Sequence, residues 1–226
     1  MRGPISRFRS VRAASLERRH DREAAVLLAR AFSNDPIWRA IGPQHPRHRF
    51  IVSMLFHYGE LKIARRQRAW VLGAFEGDEL RGVLIAYRPE KLATPFLSWL
   101  PKVVAFTIAG PIAAYRGATM WSRLSALHPD ETHVYGWLLA AVPPDRGVGS
   151  LLLEDFFRDV DAHGWPVYIE ATHPDNVRLY RRMGWEPIGE FVLRTGDTVY
   201  PMWRPGGGQA DGAGVGAGAK VVGAGA

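Results

Sequence analysis

The fold is decided by HVYGWLLAAV (residues 133–142), followed by PPDRGVGS (143–150), LLLEDFFRDVDA (151–162) and PVYIEA (166–171). The first run is apolar almost without interruption, the pattern of a strand covered on both faces. Pro143 and Pro144 end it, because neither has an amide hydrogen to give to a sheet ladder. Asp145-Arg146-Gly147-Val148-Gly149-Ser150 reads as a turn. Leu152, Phe156 and Val160 then recur at helical spacing and make Leu151–Ala162 an amphipathic helix. Pro166–Ala171 is a second buried strand. Strand, glycine turn, helix and strand form one βαβ unit, whose two strands lie parallel.

Working outward, Trp70–Glu76 and Leu80–Tyr87 are β-rich and joined through Gly77-Asp78, a hairpin signal. Asp21–Phe32 and Arg47–Arg66 carry apolar residues at helical spacing, with a turn at Asn34-Asp35-Pro36 and a short first strand at Phe8–Arg12. Residues 91–127 read as helical, broken at Pro101 and Pro111. After the βαβ unit come a short helix, Asn176–Met183, and two closing strands, Pro187–Arg194 and Thr198–Arg204. The expected architecture is an α/β protein with a mixed, mostly antiparallel sheet, a central parallel pair and helices on both faces. Residues 1–204 form one domain. In residues 205–226 nine of 22 positions are glycine and six alanine, too little apolar area to offset ordering entropy, so this is read as a disordered tail.

The chain has 226 residues, 47% hydrophobic and 23% charged, ordinary for a soluble globular protein. It has no cysteine, which excludes disulfides, thiolate metal sites and a cysteine nucleophile; no metal is expected. The formal charge of +7, almost all arginine on the basic side, favours anionic partners without choosing among them. Met1–Arg22 holds seven arginines but lacks the apolar core of a secretory signal; it reads as a basic surface strand and loop, with a transit peptide as the alternative. Val103–Ala114 is too short to span a bilayer. A cytoplasmic protein without membrane or nucleic-acid partners is expected, since the arginine pairs are scattered rather than aligned in a stripe with aromatics.

A glycine turn between strand and helix lets the backbone approach an anion, with free helix-start amides aimed at it and Arg146 beside it. A tight βα turn alone explains the small residues equally well. No Gly-Lys-Ser/Thr follows, so it is not a P-loop, and the third glycine of a dinucleotide fingerprint is missing. A second segment narrows the choice: VYIEAT (167–172) runs into HPDNVRLYRRMGW (173–185). Here the chain resembles the GNAT superfamily of N-acetyltransferases, whose strand ends in Glu-Ala-Ser/Thr and is followed by an Asn, a Leu-Tyr pair and Gly-Phe/Trp. Asn176, Leu179, Tyr180, Gly184 and Trp185 stand at those places. Ala31-Phe32, Asp35-Pro36 and Pro201-Met202-Trp203-Arg204 resemble the puromycin N-acetyltransferase-like subgroup.

The resemblance implies a parallel strand pair splayed around acetyl-CoA, and transfer of its acetyl group to a primary amine of a small molecule. With no cysteine available for an acyl-enzyme, direct attack in a ternary complex is expected. By similarity, backbone groups of Ala140, Ala141 and Val142 hold the acetyl and pantetheine arm. Amides of Arg146, Gly147, Val148, Gly149, Ser150 and Leu151 hold the pyrophosphate, and Asn176 binds the pantetheine region. Tyr180 is the general acid, or else a packed helix aromatic. Glu170, where the strand leaves the sheet, is the candidate base if burial raises its pKa, or else a carboxylate bonded to amides. His133 and Tyr135 alternate along the acetyl-CoA strand and, with Asp35, Trp38 and His57, are candidates for the acceptor site. Asp35 is equally a turn residue. A homodimer is compatible with the resemblance.

One departure bears on function. The run from Pro143 to Gly149 is two residues short of the family loop, and two of its residues are prolines. Losing two amide–phosphate bonds at roughly 1.5–3 kcal/mol each lowers affinity by about a hundredfold or more. Weaker acetyl-CoA binding is therefore expected, and a non-catalytic acyl-CoA-binding or regulatory protein of the same fold is the alternative function.

Overall fold

The computed structural model describes residues 11–90, 96–143 and 147–207. Strands β1 (Val11–Ser15), β2 (Trp70–Glu76), β3 (Glu79–Tyr87) and β4 (Val134–Ala141) pair antiparallel in that order. Strand β5 (Val167–Ala171) then joins β4 in parallel, and β8 (Thr198–Arg204) closes on β5 with the two-residue strands β6 (Glu186–Pro187) and β7 (Phe191–Val192) along it. The expected mixed α/β sheet with one parallel pair is what the chain forms.

Both faces are covered, which is why the central strands read as continuous apolar runs. Leu72, Ala74, Leu84 and Ala86 pack against Val148, Leu152, Phe156 and Val160 of α6 (Val148–Ala162). The alternating residues Val71, Phe75, Val83 and Ile85 face Ala24, Leu28, Leu61 and Ala64 of α1 (Asp21–Phe32) and α3 (Pro46–Arg66). Gly82 allows the closest approach of α6 to the sheet: a Cβ there would sit 2.7 Å from Val148 Cγ1.

Several boundaries differ from the sequence expectation, each for a local reason. The first strand is Val11–Ser15; residues 8–10 lie outside the described part, as does the expected tail from 208 onward. Asp35 does not make a simple turn. Its Oδ1 accepts the Ile37 amide at 2.9 Å and caps a short helix, α2 (Pro36–Ile41), with proline at its first position. Pro101 does not break α4 (Phe96–Ala109), because that helix lies tightly on α3: a Cβ at Gly59 would meet Lys102 Cγ at 2.8 Å. Lys102 also pairs with the buried Glu60, which accepts from Tyr87. The break comes at Gly110, at φ +86°, before α5 (Pro111–Ser125). The helix after the glycine turn starts at Val148, three residues early, capped by Gly147 at φ +75°. The strand expected at 187–194 splits into β6 and β7, whose registers against β8 differ by one residue.

Helices α4 and α5 fill the excursion between β3 and β4, adjacent strands that a hairpin would have joined. They leave Leu97, Ile112, Tyr115 and Trp121 exposed. Among the described residues no helix is long and apolar enough to cross a membrane.

Candidate active site at the splayed strands

The parallel pairing of β4 and β5 lasts three positions, Val134, Tyr135 and Gly136 against Val167, Tyr168 and Ile169. Two features end it. The register against β3 shifts between Ile85 and Ala86, which places an extra residue, Trp137, in β4. Gly136 also holds the last contact close, since a Cβ there would lie 2.7 Å from Ile169 Cγ2. Beyond this point the two strands part.

The ladder shows which backbone groups face the gap. The Val142 amide donates to the Arg81 carbonyl at 2.8 Å, so Val142 and, two residues back, Ala140 direct their hydrogen bonds to β3. Leu139 and Ala141 therefore turn their N–H and C=O groups towards the opening. Of the three residues expected there, only Ala141 presents its backbone, and Leu139 replaces Ala140 and Val142. The bulge at Trp137 switches this parity, which spacing in the sequence did not reveal.

Further along, Gly147 caps α6, and the first i to i−4 bond of the helix is Leu151 N–H to the Gly147 carbonyl, 3.0 Å. The amides of Val148, Gly149 and Ser150 thus have no partner carbonyl within the helix. Among the described residues, a Cβ at Gly147 would meet nothing within 4 Å, and one at Gly149 only Leu139 Cδ2 at 3.8 Å. Neither glycine is needed for internal packing. Gly147 is needed for its left-handed φ, and both leave open backbone at the positive end of a helix. This suits a phosphate group. Arg146 lies outside the described residues.

A cavity of about 130 Å³ fills the splay. It is lined from both faces of the sheet, by Leu153 and Phe156 on one side and Phe32, Trp38 and His57 on the other. Helix α7 (Pro174–Arg182) contributes Asn176 and Tyr180. The Tyr180 ring packs on Trp185 at 5.3 Å, and burial pushes its phenol up to about 12. Asp35 lines the cavity with both oxygens engaged, Oδ2 accepting from Thr172 Oγ1 at 2.5 Å, and burial raises its carboxyl.

Glu170 lines the cavity: Tyr135 Oη donates to Oε2 at 2.8 Å, the buried Tyr168 phenol also senses its charge and is held above its ordinary value, and among the described residues Oε1 has no close hydrogen bond. The Tyr135 phenol is held well above its ordinary value, first by burial and then by the Glu170 charge, so it remains a donor. His128, which no motif singled out, brings Nε2 to 3.5 Å from Oε1. Its tautomer follows from its neighbours. His133 Nδ1 lies 2.6 Å from the Glu131 carbonyl and must carry a hydrogen; His133 is kept neutral, its pKa lowered chiefly by burial. His133 Nε2 is then an acceptor, and His128 Nδ1, 3.1 Å away, is the donor. His128 Nε2 is the nitrogen left facing Glu170 Oε1. Tyr135 and His133 do not line the cavity. They stand behind Glu170 and His128 and orient them.

No protein-family model and no curated protein sequence matches the chain. Solved structures do. An acetyltransferase from Corynebacterium glutamicum, titled as histone acetyltransferase HPA2 and related acetyltransferase, is 25% identical with a TM-score of 0.66, covering 87% of this chain and 97% of that one. Arylalkylamine N-acetyltransferase 2 from Aedes aegypti (13% identity, TM-score 0.57, 86% and 98% covered) shares the fold. So does the polyamine N-acetyltransferase of Drosophila melanogaster (13%, 0.52, 86% and 99%). With its splayed pair, followed by Asn176, Tyr180 and Gly184-Trp185 in the order the resemblance requires, this chain shares the fold of these acetyltransferases.

Proposed function

We propose that this protein is an acetyl-CoA-dependent N-acetyltransferase that modifies a primary amine of a small molecule by direct attack in a ternary complex. The observation that carries the proposal is the cavity in the β4–β5 splay, lined from both faces of the sheet, with Glu170 and a protonated Tyr180 within it. Acetyl-CoA supplies the activated acetyl group as a thioester. Leu139 and Ala141 offer backbone groups to its arm, Asn176 borders it, and the amides of Val148, Gly149 and Ser150 with Gly147 receive its phosphates. Assignment to the puromycin-like subgroup rests on the Asp35-Pro36 and Pro201–Arg204 segments and belongs to the same proposal.

Forming an amide from an ammonium removes two protons from nitrogen; one ends on the thiol and one in solvent. Glu170 Oε1, with His128 behind it, receives the first. Tyr180 Oη holds its proton throughout the neutral range. Passing it fully to a thiolate of ordinary basicity, near pKa 8.5, is uphill by about 5 kcal/mol, so Tyr180 serves as the hydrogen-bond donor that stabilises developing charge on sulfur. Tyr180→Phe tests this: turnover, followed by thiol release over an amine panel, falls while acetyl-CoA binding persists. A Tyr180→Phe protein with unchanged turnover removes Tyr180 from the chemistry. Absence of turnover in the wild type despite acetyl-CoA binding favours the non-catalytic alternative.

A further inference from the structure

His57 is the most deeply buried imidazole of the described residues, 1% exposed, and neither ring nitrogen has a hydrogen-bond partner. It lines the cavity and is ringed by Phe32, Trp38 and Phe56, each with its centroid 5.7 Å away. Leaving such a group unpaired is costly, and native proteins rarely do so without a ligand or water to complete it. A second orphan lines the same cavity: the Trp137 indole N–H, also buried without a partner among the described residues. A neutral imidazole donates from one ring nitrogen and accepts at the other, whereas an indole only donates. What the two have in common is an oxygen.

Resting on the acetyltransferase reading, we infer that the acceptor is an amine with an apolar or aromatic body that also carries an uncharged oxygen, a hydroxyl or carbonyl, received by His57. The aromatic ring around the imidazole accommodates the body. A carboxylate does not suit the site, because Asp35 and Glu170 line the same cavity and the nearby Lys102 charge is already paired with Glu60. Burial, reinforced by Lys102, lowers the His57 pKa to about 3, so the ring stays neutral and recognises the oxygen rather than acting as a base.

The test uses the full chain with saturating acetyl-CoA and matched amines: phenethylamine against tyramine and meta-tyramine, and pentylamine against aminopentanol. Initial thiol release gives kcat/KM for each. The oxygen-bearing member of at least one pair is favoured by about ten- to a hundredfold, the discrimination expected when a buried polar group is otherwise left unpaired. In His57→Phe that ratio falls towards one, and His57→Gln, which keeps a donor and an acceptor, restores part of it. Trp137→Phe lowers the ratio in the same direction.

Equal kcat/KM within every pair in the wild type overturns the inference; a water held between His57 and the neighbouring orphan Ser53 Oγ would have that result. An undiminished ratio in a His57→Phe protein that binds acetyl-CoA and unfolds at the wild-type temperature overturns it too. Thiol release that ignores the oxygen refutes only this inference. No release with any amine refutes the acetyltransferase reading and this inference with it.

Discussion

Acid unfolds this protein in part through His57, and the magnitude follows from its burial. Desolvation, with the Lys102 charge adding to it, depresses the imidazole from 6.5 to about 3 in the folded chain. The folded value lies below the unfolded one, so the unfolded chain takes up the proton first. Stability is therefore complete above about pH 6.5 and is lost progressively down to about pH 3. Each pH unit inside that window costs about 1.4 kcal/mol, so moving from pH 7 to pH 5 removes about 2 kcal/mol. Asp35 works in the opposite sense. Burial raises its carboxyl, so its contribution is present below the unfolded value of 3.8 and lost as pH rises through the folded one. Comparing wild type with His57→Phe at the same pH cancels Asp35 and every other shared titration. Denaturant unfolding of both at the two pH values is the assay. The wild type loses about 2 kcal/mol relative to the variant on acidification. A wild-type-minus-variant difference that does not change with pH refutes the argument.

Two further substitutions probe the splay. Glu170→Gln keeps the shape and the Tyr135 contact but cannot take a proton, and lowers kcat by about 10²–10⁴ with acetyl-CoA binding retained; stopped-flow turnover and calorimetry read the two effects separately. Gly136→Ala forces a Cβ to 2.7 Å from Ile169 Cγ2 at the last paired position, and costs about 1–3 kcal/mol by thermal unfolding.

The strands and the longer helices could be read from the sequence because their periods are set by burial on two faces. Leu152, Phe156 and Val160 mark the inward face of α6 whatever surrounds it. Elements governed by backbone conformation were harder. Val148-Gly149-Ser150 looks like turn chemistry, yet once Gly147 takes a left-handed φ the helix can start at once. Asn34-Asp35-Pro36 has the composition of a turn, but the same carboxylate caps a helix of six residues, too short for a periodic signal.

The site divides in the same way. Glu170, Asn176, Tyr180, Asp35, Trp38 and His57 all line the cavity; spaced motifs pointed to the first four, whereas Trp38 and His57 were candidates without a motif of their own. His128 and Trp137 had no such mark. The first sits in a loop before β4 and reaches Glu170 only through the packing of α5 and β4. The second is aimed by a bulge that exists only in the pairing with β3. His133 and Tyr135 were on the right strand, but they support the site from behind instead of facing it.

The central claim is that the gap between β4 and β5, with the open backbone at Gly147, receives acetyl-CoA. Calorimetric titration of acetyl-CoA into the wild type and Gly147→Glu tests it most directly: a Cβ at that position meets no atom of the described residues within 4 Å, and the strain of a non-glycine residue at its left-handed φ is read separately by thermal unfolding. The account predicts saturable binding to the wild type, weaker than low micromolar because of the short proline-bearing loop, and its loss in the variant. No binding up to millimolar acetyl-CoA, or equal binding by a folded Gly147→Glu protein, contradicts it.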